Sequence, residues 1–403
     1  MNELTEIECE NFVEDLLLIM YDYTLHNIHL LSKEDYDDLF VKHIDEYVAF
    51  IVTSIQETIP RKSLEDLISY TINIFYEACL PPRSFDNTYI LKTQTEEEIN
   101  IITDKINYLR SIPQPEQRTS EWYIFRNNLI TASNAYKIFD TDASQNQLIY
   151  EKCLAFNQKI LVVPDESENF KHVNVLSPLH WGQKYEHLSV MIYEDKYKTT
   201  IEEFGCIKHE KHSFLGASPD GINVDKNSGR YGRLIEIKNV VNREITGIPK
   251  VEYWIQMQLQ METCNLNECD FLETKFKEYE TEEEYLADEC EYKGVIMYFS
   301  YKNGIPKYIY RPLHCLDETW EETMMTTYQD EGLIWIKNIY WKLEIISCVL
   351  VVRNNLWFEY VVYDIRNFWK IIEHERNTGF DHRKAKKRIR KIQEEESKCL
   401  ITL

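Results

Sequence analysis

Glycine and proline are scarce in this chain, with 11 of each in 403 residues. With 44% apolar and 28% charged residues, that scarcity excludes collagen-like and low-complexity classes and leaves an ordinary globular composition, rich in Tyr and Phe. No stretch reaches eighteen uninterrupted apolar residues, which argues against a membrane span. The opening "MNELTEIECENFVEDLLL" is acidic where a secretory signal is basic. An intracellular, non-secreted protein is therefore expected. Cysteines at 9, 79, 153, 206, 264, 269, 290, 315, 348 and 399 include no CxxC pair. Reduced thiols are expected, and a four-cysteine zinc or iron–sulfur site is not.

Positive charge is also in short supply: the formal net charge is −23. A polyanion repels a polyanion, so generalised nucleic-acid binding is disfavoured, while a local basic channel remains open. Acidic runs such as "ETEEEYLADECE" (280–291) contrast with one strongly basic block, "HRKAKKRIRK" (382–391). That block reads as a solvated terminal helix, with DNA contact or nuclear import as the other readings.

Residues 1–105 carry helical periodicity. Apolar groups fall at 12, 16, 19 and 20, then at 64, 67, 68, 72 and 75, the three-and-four spacing of one helix face. The prolines of "IPQPEQRTSEW" (112–122) mark a boundary, giving a helical domain over 1–111. From 112 to 315, helical patterns alternate with β-rich runs such as "FLGASPDGINV", "RLIEIKNV", "CDFLETKF" and "GVIMYFSY". The expected class is α/β (α+β). Residues 316–403 form a C-terminal extension. There "DETWEETMMTTYQDEGLIWIKNIYWKL" is expected as one helix, and "IISCVLVVRN" and "WFEYVVYDI" as a hairpin around "NN".

The chemistry concentrates in "GASPDGINVDKNSGRYGRLIEIKN" (216–239). Asp220 stands where a strand breaks into a turn. Glu236 and Lys238, two apart on a strand, share a face, while Ile235 and Ile237 take the other. Phosphodiester hydrolysis needs charge neutralised on the phosphate and a positioned water; one or two carboxylates holding Mg2+ supply both. Alone the pattern fits a solvated hairpin better than a catalytic one, since Glu-x-Lys occurs five times, at 194, 236, 273, 291 and 396. In "KVEYWIQMQLQMETC" (250–264), Gln258 falls near the centre of an apolar helical arc, with Gln256 and Gln260 on the polar side. It is either a core glutamine tied to backbone or one facing a catalytic water. Glu186, in "LHWGQKYEHLSVMIYE", lies on a second semi-apolar stripe and is either partly covered or a surface glutamate. "LITASNAYKIF" looks like a strand end entering a capped helix whose N–H groups could attract phosphate, with Ser133 at its start and Arg126 seven residues before. Cys206, His209 and His212 are spaced by three, without an evident fourth ligand for zinc.

Taken in order, Arg…ITAS, WGxxYE, G-x-SPDG, EIK and QxQ resemble the YqaJ family of viral recombinases, the lambda exonuclease-like branch of the PD-(D/E)XK nucleases. The resemblance covers about 118–315. It implies metal-dependent digestion of duplex DNA from 5′ ends, in viral recombination or repair. Asp220, Glu236 and the main-chain carbonyl of Ile237 would ligate Mg2+, with Mn2+ as a substitute. Lys238 would position the water, Glu186 would complete the acidic cluster, and Gln258 matches the family's active-site glutamine, with Gln256 as the register alternative. Arg126, Ser133 and Ser218 match the residues that grip a terminal 5′-phosphate. The implied partners are duplex DNA ends, a single-strand-annealing protein, and further copies in a ring trimer. An endonuclease or single-strand nuclease of the same fold, or an inactive DNA-end-binding scaffold, are the alternatives.

Overall fold

The computed structural model describes residues 5–55, 61–85, 93–115, 119–157 and 173–385. Four helices lead the chain: α1 (Glu6–His26), α2 (Tyr36–Ile55), α3 (Arg61–Ala78) and α4 (Glu96–Ser111). Two begin with reciprocal capping boxes, Thr5 with Glu8 and Thr95 with Glu98, satisfying amides that the first turn leaves without partners. Their expected helical character is what the structure shows.

There follow α5 (Ser120–Asn127), β1 (Ile130–Thr131), α6 (Ala132–Ala135), α7 (Asp142–Asn157) and α8 (Pro178–Tyr197). Short strands β2 (Ile201–Glu202), β3 (Ile207–Lys208), β4 (Leu215–Ala217) and β5 (Gly221–Asn223) lead to β6 (Leu234–Asn239), α9 (Val251–Cys264) and β7 (Glu268–Glu278). The chain continues through α10 (Glu282–Ala287), β8 (Lys293–Ser300), β9 (Pro306–Tyr310), α11 (Trp320–Asp330), β10 (Ile334–Val352) and α12 (Asn355–Thr378).

The main sheet has seven strands in the order β2-β5-β6-β7-β10-β8-β9. Only β6 and β7 pair in parallel; the other neighbours are antiparallel. A three-stranded sheet, β1-β4-β3, stands beside it. The alternation along β6 sorts its side chains as expected. Ile235 and Ile237 join Tyr193 of α8 in one core cluster, while Leu234 joins Trp254, Ile255 and Leu259 of α9 in another. The mixed sheet is thus covered by α8 on one face and α9 on the other, an α/β architecture.

Two expectations are corrected in the C-terminal part. The helix starting near 317 stops at Asp330, because Gly332 adopts φ +85° and turns the chain out of the helix. The following "IWIKNIYWKLEIISCVLVV", rich in aromatic and β-branched residues, is one strand that bridges β7 and β8. The sheet therefore crosses the expected boundary at 315. No hairpin forms at "NN" either. Asn354 caps α12 through the Trp357 amide, and Trp357, Phe358, Val361, Val362, Ile365, Phe368, Trp369 and Ile372 form its buried stripe. The same core cluster holds residues of α1, α2, α3, α9 and α12. Most of the basic block lies outside the described residues. No described helix is long and apolar enough to cross a membrane.

Gly216 of β4 marks where the small sheet meets the backbone of its neighbours. A Cβ there would lie 2.6 Å from Leu129 Cδ1 and 2.9 Å from the Ile207 carbonyl oxygen. Because one obstacle is main chain, Gly216→Ala should cost about 1–3 kcal/mol of stability, read as a lower thermal midpoint with the fold retained. An unchanged midpoint would contradict this packing.

Candidate active site

The β5–β6 pairing builds the centre. Gly221 is registered with Ile235, and the Asp220 amide donates to the Ile235 carbonyl at 3.2 Å. The Ile237 amide returns a hydrogen bond to Asp220 Oδ2 at 2.7 Å. Asp220 is thereby fixed beside Glu236, which is 1% exposed. Desolvation, then the neighbouring Glu236 and Glu186 carboxylates, push the Asp220 carboxyl well above the usual range.

Lys238 forms an ion pair with Glu236 Oε1. Desolvation pulls its ammonium down, but the Glu236 and Asp220 carboxylates outweigh that and hold it above the ordinary lysine value. Lys238 is therefore a fixed cation. Tyr253 of α9 lies under it, with Nζ 4.9 Å from the ring centroid. Glu186 of α8, half-buried, lines a cleft of about 470 Å3 with Gln114, Gln183, His187, Phe204 and Asp220. The structure thus brings Asp220, Glu236, Lys238 and Glu186 together.

The glutamine expectation is corrected. Gln258 is buried, but its Nε2 donates to the Val352 carbonyl at 3.0 Å and its Oε1 accepts from the Asn354 amide at 2.7 Å. It ties α9 to the junction of β10 and α12, and Gln256 is half-buried nearby in sequence. The glutamine facing the carboxylates is Gln260. Its Nε2 donates to Glu236 Oε2 at 2.7 Å and to the Ser218 carbonyl at 3.3 Å. A single apolar arc could not reveal this, because α9 is buried on two sides: Gln260 is 0% exposed. The available signal was the third glutamine of "QMQLQ", two residues on.

The residues expected to grip a phosphate lie as follows. Arg126 Nη2 donates to Ser133 Oγ at 3.3 Å, and its guanidinium lies 4.2 Å from the Trp122 ring centroid. Ser218 Oγ is buried beside the Cys206 thiol, to which it hydrogen-bonds. Desolvation, mainly, pushes that thiol up. His209 goes elsewhere, its Nε2 3.5 Å from Glu262 Oε1 and its ring stacked on Phe358. Among the described residues, no group of three or more His, Cys, Asp or Glu side chains is disposed to hold a metal ion.

Residues 121–267 match the family described as the YqaJ-like viral recombinase domain, as the motifs implied. Uncharacterized protein R354 of Acanthamoeba polyphaga mimivirus is 28% identical over 340 residues, which are 73% of this chain and 59% of that protein. The chain thus spans somewhat under two thirds of that relative. The alkaline exonuclease LHK-Exo of Laribacter hongkongensis aligns over 64% of this chain and 95% of its own, at 19% identity. The TM-score is 0.40 for its complex with dAMP and 0.39 for a second structure.

The two glutamines separate in experiment. Gln258→Ala leaves two buried backbone groups without partners and should lower stability by about 1–3 kcal/mol, with the wild-type rate in a nuclease assay retained. Gln260→Ala, which strips a partner from the buried Glu236 carboxylate, should lower any nuclease rate by about 10- to 100-fold, with a stability loss of similar size. A lower rate in Gln258→Ala alone would reverse the assignment.

Proposed function

We propose that this chain, whose residues 121–267 belong to the YqaJ-like viral recombinase domain family, is a metal-dependent exonuclease that digests duplex DNA from 5′ ends during viral recombination or repair. The observation that carries the reading is the Asp220–Glu236 pair, two carboxylates held side by side with a lysine cation and a glutamine amide on one of them.

This donor set fits a divalent cation. Two close, desolvated carboxylates repel one another, and the cost shows in the raised Asp220 carboxyl. Gln260 Oε1 is also buried without a partner beside them. Mg2+ is held typically by one or two carboxylates, with water and substrate oxygens filling the rest, so a cage of three or more protein ligands is not needed. Asp220 and Glu236 would hold the ion, with the Ile237 main-chain carbonyl, and Mn2+ would substitute. Bound there, it would supply charge neutralisation on the scissile phosphate and a more acidic water.

The chain's own residues do the rest. Lys238, kept protonated by Glu236 and Asp220, is a poor base; it orients the phosphate and stabilises charge developing in the transition state. Gln260 fixes the Glu236 carboxylate against rotation. Glu186 stands across the cleft as the acceptor for the proton of the attacking water. Arg126, Ser133 and Ser218 would bind the terminal 5′-phosphate and set the register of cleavage.

The test is a digestion time course on linear duplexes carrying distinct 5′ and 3′ labels, with and without Mg2+. Mononucleotide release from the 5′ end should require the ion. Glu236→Ala and Lys238→Ala should each lower the rate by about 10²–10³-fold with the fold retained. Ion-independent release, loss from the 3′ end, or full activity in both variants would overturn the proposal.

A further inference from the structure

Lys152 of α7 is 6% exposed and plays no part in the chemistry above. Its Nζ donates to the Arg126 carbonyl at 2.7 Å, at the last turn of α5. Arg376 of α12 holds the next carbonyl: its Nη2 donates to Asn127 O at 2.7 Å and to Lys152 O at 3.2 Å. Two cations thus grip the C-terminal end of the helix that presents Arg126, where cations are favoured. Arg376 is itself locked by Phe156 and Trp369, whose ring centroids lie 4.5 and 4.9 Å from its guanidinium.

Among the described residues, no carboxylate forms an ion pair with this group; Glu151 and Glu373 act on it only at longer range. The nearby Glu151 is engaged by Lys137 at 3.3 Å, and Glu375 by Arg383 at 2.5 Å. Among the described residues, none of Arg126, Lys152 and Arg376 forms an ion pair. Buried cations without a counter-ion are costly, and the cost is visible. Desolvation, then Arg126 and Arg376, pull the Lys152 ammonium down to about 7. An anion arriving against Arg126 and Ser133 would relieve all three.

We propose that Lys152, with Arg376 behind it, is a positioning residue for the terminal-phosphate grip, fixing the last turn of α5 so that Arg126 and Ser133 meet the 5′-phosphate of a DNA end. The inference rests on the exonuclease reading of the site. It adds that α12, which lies beyond the residues matched by the family, helps to select the end.

The experiment measures digestion of two linear duplexes that differ only in carrying a 5′-phosphate or a 5′-hydroxyl. Wild-type protein should favour the phosphorylated end. Lys152→Met should cut that preference by about tenfold, chiefly through KM, and Arg376→Met should cut it in the same direction by less. Lys152→Arg, which keeps a donor to the Arg126 carbonyl, should restore part of it. A soluble Lys152→Met protein with the wild-type preference, or one slowed equally on both duplexes, overturns the inference. If Lys152→Met does not fold, an undiminished preference in Arg376→Met overturns it instead. A wild-type protein that digests both ends equally refutes the terminal-phosphate reading underneath, an outcome visible before any variant is made.

Discussion

The site depends on one constraint: strand pairing forces two carboxylates together. The register of Gly221 with Ile235, and the bond from the Ile237 amide to Asp220, leave Asp220 no way to withdraw from Glu236. Like charges in a desolvated place raise the free energy of the ionised pair. The surrounding structure offsets part of that cost. Lys238 pairs with Glu236 on the same strand face, and Gln260 reaches it from α9. The residual repulsion is expressed in the raised Asp220 carboxyl, and on the proposed reading it is what a bound cation would relieve.

The scaffold keeps that constraint rigid. β6 is flanked by β5 and β7, with α8 packed on Ile235 and Ile237 and α9 on the opposite face. β10 and α12 then brace α9 through Gln258. In a chain of net charge −23, three cations are gathered at the last turn of α5. Arg126, Lys152 and Arg376 cluster there, and Gln260 separately ties Glu236 to the Ser218 carbonyl. On the proposed reading, Arg126 would meet a DNA end at this point while the acidic surface elsewhere repels it.

Much of this was legible in residues 216–239, because a strand's period of two places Glu236 with Lys238 and Ile235 with Ile237 without further information. The mixed α/β class followed from the alternation of helical and β-rich runs. The role of Gln258 was not legible. Periodicity finds one buried face, and α9 has two, so the residue at the centre of the apolar arc served packing and its neighbour two positions on met the carboxylates. The C-terminal elements were misread for a related reason. "WFEYVVYDI" has β-forming composition but helical spacing of its buried residues, and tertiary packing on α9 decided for the helix. Lys152 gave no local signal, since its meaning comes from Arg126 and Arg376, 26 and 224 positions away in sequence.

The thermal midpoint of Asp220→Asn against wild type, each with and without Mg2+ or Mn2+, tests the account most directly. Without the ion, removing one of two crowded charges should raise the midpoint, by on the order of 1 kcal/mol in stability. Added ion should stabilise wild type and leave Asp220→Asn unchanged. A midpoint lowered by Asp220→Asn in the absence of ion, together with no response of wild type to either ion, would contradict the claim that the paired carboxylates form a cation site.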